Sequence, residues 1–392
     1  MKDSKPRTFL GGLFYTGGQT DILLLCSIIF TVGVGLICLW SASYAVALNQ
    51  GMPSYGIALK QAGYAALGTV VMLALSHFDY KKLNTPTIVY AVLALSFILL
   101  LISLAGEGDK NGIKRWIYIG SFQFQPSEIT KLALILFYSY VVDKYYIQLK
   151  KKRRGTRDVI TGIKYSYIPF FIPLLASCAL LYKQPHLSCM ILITGITFTM
   201  MYVGGVRTKL LIAPIIAGGL TFGILAMTGY FKARMDLWLN PFSDPSGKGW
   251  QMIQSFYAIG SGGFLGVGLG NSRLKYMYLP EPENDFIFSV ICEELGFLGA
   301  LFIVVLFALI VFFGLRIAYQ ARDKFGAMIV FGTIMQIGMQ ALVNMCVVTG
   351  LFPNTGISLP FFSSGGTSLV VLMAQLGLVL SVARKSNMKK LG

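Results

Sequence analysis

The run LGALFIVVLFALIVFFGL, residues Leu298–Leu315, is the feature that most constrains the fold of this chain. It is apolar throughout and long enough to span the hydrocarbon of a bilayer, which takes about 20 residues. A chain inside hydrocarbon must satisfy its backbone hydrogen bonds internally, so it crosses as a helix or as part of a closed barrel. Barrel strands would show weaker segments of period two. We therefore predict an all-α polytopic membrane protein.

Similar runs recur along the chain, which is 55% hydrophobic and only 12% charged. The first run is too long for the apolar core of a signal peptide, so we expect it to be retained as a helix. We predict one transmembrane domain, residues 22–383, between cytoplasmic tails at 1–21 and 384–392. Ten spans are predicted: Ile22–Leu48, Tyr55–Ser76, Pro86–Ala105, Ser127–Val142, Ser166–Tyr182, Leu187–Val203, Leu210–Tyr230, Phe286–Leu315, Gly326–Gly350 and Thr367–Val382.

The distribution of charge predicts the orientation. Most of the 33 Lys and Arg residues fall on the side of the N-terminus, including the run KKKRR at Lys150–Arg154. Cytoplasmic loops are enriched in these residues, so both termini are predicted to be cytoplasmic. Three outer segments follow: 106–125, 231–284 (the longest) and 351–366.

The net charge of +17 is explained by the same membrane-side bias, and we expect no nucleic-acid partner. The six cysteines lie in or beside apolar runs without a C-x-x-C pair, so neither a disulfide framework nor a zinc site is predicted. The isolated His77 and His186 suggest no metal site and no catalytic histidine. The loop sequence GSGGFLGVGLG follows no strand and is not a dinucleotide fingerprint.

Carboxylates cluster where the eighth span begins, in YLPEPENDFIFSVICEELGFLGA. Asp285 lies at the outer mouth of this span, and Glu293 and Glu294 follow about two helical turns deeper. A carboxylate inside the membrane is costly and is often functional. The residues alone leave two alternatives without a catalytic role. Glu293 or Glu294 would form an ion pair with a lysine that holds helices together, and Asp285 would complement the helix dipole.

A second polar cluster is GIKRWIYIGSFQFQPSEITKLAL. Glu128 and Lys131 are three residues apart, which puts them on one helix face, either as a buried ion pair or in a polar cavity. The cationic pair Lys114 and Arg115, beside Trp116 on the outer side, would meet an anionic lipid head group or anchor the chain at the interface.

The segment GLFPNTGISLPFFSSGGTSLVV joins the last two spans. Its Gly, Pro and Ser content predicts a re-entrant or partly buried loop that offers Ser363, Ser364 and backbone groups to a cavity. The alternative is a flexible exterior turn. Further charged candidates in the long outer loop are Asp244, Lys248, Arg273 and Lys275.

Three stretches together resemble the SEDS family (shape, elongation, division and sporulation), the FtsW/RodA/SpoVE group. They are KRWIYIGSFQFQPSEITKLA, PFSDPSGKGWQMIQSFYAIGSGGFLGVGLGNSRLKYMYLPEPENDFIFSVICEELGFLGA and VVTGLFPNTGISLPFFSSGGTSLVV, and the resemblance runs from about Ile22 to Arg384. It implies a multi-pass peptidoglycan glycosyltransferase of the bacterial cell membrane that polymerises lipid II, an undecaprenyl-pyrophosphate disaccharide-peptide. It also implies a class B penicillin-binding protein (a transpeptidase) and other divisome membrane proteins as partners.

The resemblance also assigns roles to residues. The family's essential aspartate falls on Asp285, although Asn284 stands where a threonine is usual. Its loop tryptophan falls on Trp116 and its buried pair on Glu128 and Lys131. We expect Asp285 to be the general base for a sugar hydroxyl.

The diphosphate leaving group needs cations. The side-chain candidates are Arg115, Lys131, Arg273 and Lys275, and the alternative is a divalent cation, Mg²⁺ or Mn²⁺. We expect Glu281 and Glu283 to be solvated loop charges or loop ion pairs, and Glu293 and Glu294 to serve helix contacts.

The last stretch resembles the division and sporulation members most, which predicts synthesis of septal wall. An elongation-type polymerase, a lipid II flippase without chemistry and a divisome scaffold are the alternatives. A transporter would need polar groups along a path from both faces.

Overall fold

The computed structural model describes residues 20–106, 114–119, 122–150, 160, 162–226, 229–247 and 249–387. Most of both predicted tails, residues 151–154 of the basic run and Lys248 lie outside the described residues. The helices are α1 Ile22–Asn49, α2 Gly56–His77, α3 Pro86–Ala105, α4 Pro126–Lys150, α5 Ile168–Lys183, α6 Leu187–Val203, α7 Thr208–Ala226, α8 Gly229–Leu239, α9 Trp250–Gly262, α10 Ile287–Gln320, α11 Lys324–Val348 and α12 Gly366–Asn387.

A helix covers each of the ten predicted spans, namely α1 to α7 and α10 to α12. Within the described ranges, seven segments are long and apolar enough to cross a membrane, and the shorter α6 is also apolar. The predicted all-α class is confirmed. The described residues include one small antiparallel hairpin, β1 Ile117–Ile119 with β2 Phe122–Phe124, in which Ile117 pairs with Phe124.

The outer segment 231–284, predicted as a loop, instead contains most of α8 and all of α9. Helix α9 is amphipathic: Met252, Ser255 and Ala258 are buried, whereas Tyr257 is exposed. Both helices are too short to span a bilayer, so the length and hydropathy of the segment did not predict them.

Polar contacts connect the helices at one end of the bundle, the end that lies next to both predicted tails. Arg384 Nη2, at the start of the C-terminal tail, donates to Thr20 Oγ1, at the end of the N-terminal tail, at 3.1 Å. On the same end, Lys385 Nζ lies 3.2 Å from Asp79 Oδ1, and the Tyr80 hydroxyl donates to Asp323 at 2.6 Å. Both predicted tails thus adjoin the same face, the one assigned to the cytoplasm from the loop charges.

Helix α10 is broken at Gly296, whose φ of 65° lies in the left-handed region. The glycine-rich segment 263–268 packs into the break, and a Cβ on Gly296 would collide with the backbone of Gly266. Backbone hydrogen bonds across the break replace those that the helix loses: Val267 N to Glu293 O (3.0 Å), Gly268 N to Glu294 O (2.9 Å), Phe297 N to Gly263 O (2.9 Å) and Leu298 N to Phe264 O (3.2 Å). The glycines therefore allow one backbone to approach another.

The segment between α11 and α12 enters the protein, which confirms the prediction of a re-entrant or buried loop. Phe361 and Phe362 are buried, and both rings pack against Phe307 of α10. The Phe361 carbonyl lies against Gly35, midway along α1, where a side chain would leave no room for the loop.

Candidate active site

A cavity of about 560 Å³ opens at the end of the bundle opposite the two tails. Its volume is in the usual range for ligand pockets. The lining is strongly polar and brings together residues that lie far apart in sequence. Among these residues are Lys60, Gln61, Tyr64, Arg115, Trp116, Glu128, Lys131, His186, Glu281, Glu283, Asp285, Gln340 and Ser364.

Asp285 reaches the cavity from the last turn before α10. Its side chain is half-buried, and the backbone of Gly356 comes so close that a Cβ there would lie 3.1 Å from Asp285 Oδ2. Burial and the nearby Glu281 carboxylate raise the pKa of Asp285 to about 6, while Arg115 and Arg234 oppose the rise. A carboxylate with this pKa is mostly ionised at neutral pH and is a better proton acceptor than an ordinary aspartate.

The backbone around Asp285 is fastened to two neighbouring segments. The Asn344 amide, on α11, donates to the carbonyls of Asp285 (2.8 Å) and Ile357 (2.7 Å). The Ser363 hydroxyl donates to the Asn284 carbonyl at 2.7 Å. Ser363 therefore stands behind the main cavity and supports the loop, whereas Ser364 lines the cavity.

The predicted pair Glu128 and Lys131 forms a buried salt bridge of 2.7 Å in the first turns of α4. Lys131 Nζ also donates to Gln340 Oε1 at 3.2 Å, and the Gln340 amide donates to the Ser358 carbonyl at 3.1 Å. The pair is therefore both an ion pair and part of the wall of a polar cavity, which joins the two alternatives left open by the sequence.

Arg115 and Trp116 also line this cavity, in the residues immediately before β1. Arg115 Nε donates to the Gln184 carbonyl at 3.0 Å, and its Nη2 donates to the carbonyl of Pro185. These bonds hold the guanidinium beside the connection between α5 and α6.

Arg273 and Lys275 lie outside the cavity, contrary to the expectation that they would meet a leaving group there. Lys275 is buried and its Nζ contacts Glu294 Oε1 (2.8 Å) and Ser41 Oγ (3.1 Å). Arg273 is exposed, and its backbone N–H donates to Glu293 Oε1 at 2.9 Å. The glycine-rich segment turns this part of the loop back onto α10, so that both glutamates bind the loop.

Glu293 and Glu294 thus fasten the outer loop to α10, and Glu294 also accepts a hydrogen bond from Ser41 of α1. Glu283 differs from the expectation of a solvated charge. It is buried and lines the cavity, and burial together with Glu281 and Asp285 raises its pKa to about 7. Glu281 is exposed, as expected.

Sequence reasoning missed several lining residues. Gln61 on α2 is buried, donates to the Ser363 carbonyl and accepts from Gly365 N–H, each at 3.2 Å. Its only signal in the sequence was a polar pair, Lys60 and Gln61, inside an apolar span. His186 gave no signal, because nothing near it in the sequence marks a site.

Known proteins are similar to this chain over most of its length. The model of the cell cycle protein family FtsW/RodA/SpoVE matches residues 21–388. Stage V sporulation protein E of Bacillus subtilis is 36% identical over 368 residues, which cover 93% of this chain and 97% of that protein. A probable peptidoglycan glycosyltransferase FtsW from Trichlorobacter lovleyi is 34% identical over 367 residues, with 93% of each chain covered.

Two solved structures are also similar. A chain of a peptidoglycan synthase complex, described as coordinating polymerization and crosslinking, has a TM-score of 0.74 and 27% identity over 93% of this chain and 98% of its own. The rod shape determining protein RodA of Thermus thermophilus has a TM-score of 0.67 and 24% identity, with 93% and 97% covered, and shows the same fold.

Proposed function

The chain belongs to the FtsW/RodA/SpoVE family of cell cycle proteins, and we propose that it works as a peptidoglycan glycosyltransferase that polymerises lipid II. It is a multi-pass protein of the bacterial cell membrane. The single observation that carries the activity is the position of Asp285, an aspartate of raised pKa in the wall of a polar cavity. The likeness to FtsW and Stage V sporulation protein E supports a role in septal wall synthesis.

In the reaction, a sugar hydroxyl attacks the anomeric carbon that carries the lipid diphosphate. Asp285 accepts the hydroxyl proton as the new glycosidic bond forms. The bond between the anomeric carbon and the diphosphate oxygen breaks, and the lipid diphosphate leaves with the electron pair. Arg115 and Lys131 line the same cavity and would stabilise the negative charge that develops on this oxygen.

A divalent cation remains a proposal. Among the described residues, no group of three or more His, Cys, Asp or Glu side chains is placed to hold a metal ion. Magnesium is often bound by one or two carboxylates together with substrate phosphates, and Glu283, which lines the same cavity as Asp285, is the carboxylate that would serve. When bound, the ion would neutralise charge on the diphosphate.

A partner transpeptidase is the second proposal. The similar chain of known structure comes from a peptidoglycan synthase complex described as coordinating polymerization and crosslinking. We propose a class B penicillin-binding protein as the partner that cross-links the strands, and other divisome membrane proteins as further partners.

The flippase alternative gains no support from the cavity. In the part of the chain that the structure describes, the residues that line the cavity lie at one end of the bundle. The Glu128–Lys131 ion pair is part of the cavity wall. A transporter needs access from both faces.

The test is polymerisation of lipid II by the purified protein, with and without the partner. We expect polymer from the wild type and from Asp236→Asn, an exposed aspartate on α8, but none from Asp285→Asn. All three proteins should have matched elution profiles and thermal midpoints. Normal polymerisation by Asp285→Asn would refute the assignment of the base. Absence of polymer from the wild type with its partner present would refute the proposed activity and would lead to a lipid II translocation assay in liposomes.

A further inference from the structure

His186 lies in the wall of the cavity, immediately before α6, although its sequence context suggested no role. The residue is 8% exposed, and its Nδ1 has no hydrogen-bond partner in the described part of the chain. The surroundings of this nitrogen help to decide which of the two ring nitrogens carries the proton.

The charged groups around the ring come from two other elements. Arg115 donates hydrogen bonds to the backbone carbonyls of Gln184 and Pro185, the two residues before His186. Lys131, paired with Glu128, approaches from α4. Burial is the largest influence and, with the two cations, holds the pKa of His186 well below its usual value, so the imidazole is neutral at physiological pH.

The neutral ring carries one proton. Buried N–H groups without a partner are rarer than acceptors without a partner, so the proton is placed on Nε2 rather than on the unpartnered Nδ1. His186 then contributes one N–H donor to a wall that already holds the cations of Arg115 and Lys131.

Two cations and a neutral donor form a site for an anion with several oxygens. Arg115 also influences the carboxylate of Asp285, so this site is within electrostatic reach of the base. A glycosyl donor needs the same arrangement, because its diphosphate and the attacking hydroxyl lie on either side of one anomeric carbon.

We propose that His186, Arg115 and Lys131 form the subsite that binds the diphosphate of the lipid-linked substrate, an assignment that rests on the proposed function. A bound diphosphate adds negative charge next to the imidazole and counteracts the two cations. The pKa of His186 then rises, and binding takes up a proton. His186 is a binding residue in this account, and the affinity for diphosphate increases as the pH falls.

The first experiment measures binding to the full-length protein in nanodiscs, with farnesyl diphosphate as the probe and farnesol as the apolar control. We expect His186→Leu to weaken the binding of farnesyl diphosphate about tenfold to hundredfold, since a hydrogen bond to a charged group is lost. Farnesol binding should change less than about twofold. His186→Gln keeps an N–H donor, so it should retain most of the affinity and lose the part of the pH dependence that comes from His186. Asp285 and Glu283, whose pKa values are raised to about 6 and about 7 in the same cavity, supply the rest.

The second experiment uses the fact that the sequence contains only two histidines. In His77→Gln, purified without a histidine tag, His186 gives the one histidine signal in an NMR titration. His77 lies at the far end of α2 and does not line the cavity, so this variant should bind and polymerise normally. Addition of farnesyl diphosphate should raise the pKa of His186 by about one unit or more.

The outcomes separate this proposal from the proposed function. Unchanged diphosphate affinity in His186→Leu, or an imidazole pKa that does not respond to the diphosphate, would overturn the subsite even if the protein polymerises lipid II. Binding that depends on His186 in a protein without polymerase activity would support the subsite and refute the activity. If His186→Leu does not fold, the NMR titration of His186 with farnesyl diphosphate still decides.

Discussion

The side-chain amide of Asn344 donates a hydrogen bond of 2.8 Å to the backbone carbonyl of Asp285. The same amide donates to the carbonyl of Ile357 at 2.7 Å, so one buried side chain on α11 fixes two loops of the cavity at once. The position of the proposed base therefore depends on a residue that does not line the main cavity.

Asn344→Asp tests this dependence. The substitution keeps the shape of the side chain but removes the amide donors, so both carbonyls lose their partner. A displacement of about 1 Å can lower a rate on the order of 10²-fold. We expect kcat for lipid II polymerisation to fall by about this factor while KM stays within about threefold. Leu342→Val, at an exposed position on the same helix, is the control. An unchanged kcat in a stable Asn344→Asp protein would argue against the positioning role.

The pH dependence of the rate should follow the ionisation of Asp285. A general base works when deprotonated, so the rate should rise with pH through about 6 and then level off. Arg234 lowers the pKa of Asp285, so Arg234→Gln should move the rising limb to higher pH. Lys232→Gln, at an exposed position on the same helix, is the control. The measurement is the pH profile of kcat/KM, and a shift to lower pH would contradict the argument.

A shift of opposite sign is expected from Glu281→Gln. The Glu281 carboxylate raises the pKa of Asp285, so its neutralisation should move the limb to lower pH by a few tenths to about one unit. The glutamine keeps an acceptor for the Asn284 amide, which donates to Glu281 Oε2. Equal shifts in the same direction for Arg234→Gln and Glu281→Gln would mean that the limb does not report on Asp285.

The buried pair of Lys275 and Glu294 should matter for stability rather than for chemistry. Lys275→Met leaves Glu294 buried without its cation, which we expect to lower the free energy of unfolding by about 3–5 kcal/mol. The double variant Lys275→Met/Glu294→Leu removes both charges and should recover part of the loss.

Thermal midpoints in detergent provide the measurement for this cycle. Arg273→Met, two positions away and exposed, should change the stability by less than about 0.5 kcal/mol and leave polymerisation intact. A double variant that is less stable than either single variant would contradict the pairing.

Gly296→Ala should destabilise the break in α10. Its φ of 65° is unfavourable for a side chain, and the added Cβ would meet the backbone of Gly266. Strain of this kind costs about 1–3 kcal/mol. Gly260→Ala is the matched control, because nothing lies within 4 Å of a Cβ at that position of α9, and alanine should stabilise the helix slightly. Thermal midpoints of the two variants should therefore move in opposite directions, and equal midpoints would contradict the account.

The helices could be predicted from the sequence because most of the spans are long, apolar runs. The contact between Glu128 and Lys131 could be predicted from their spacing of three residues. The re-entrant loop between α11 and α12 could be inferred from its Gly, Pro and Ser content. Asp285 could be placed at the mouth of its span, but its assignment as the base came from the resemblance.

The other features of the site depend on contacts between segments that are distant in sequence, and the sequence pattern does not encode these contacts. Arg273 and Lys275 were expected at the site because of their charge, yet the path of the glycine-rich segment directs them to Glu293 and Glu294. Glu283 and His186 become part of the site only because distant segments enclose them. No period or spacing in a single sequence reports which loops meet across a bundle.

The break at Gly296 also bears on how the chain enters the membrane during synthesis. The part of α10 after the break, from Phe297 to Gln320, is about 36 Å long at about 1.5 Å per residue and is sufficient to cross the hydrocarbon by itself. The insertion machinery therefore meets a complete apolar span that excludes Glu293 and Glu294. The segment 263–268 is synthesised before α10, so the backbone that receives the broken turn is already present when that turn emerges. Two carboxylates that would obstruct insertion as part of a continuous helix are thereby kept out of the lipid.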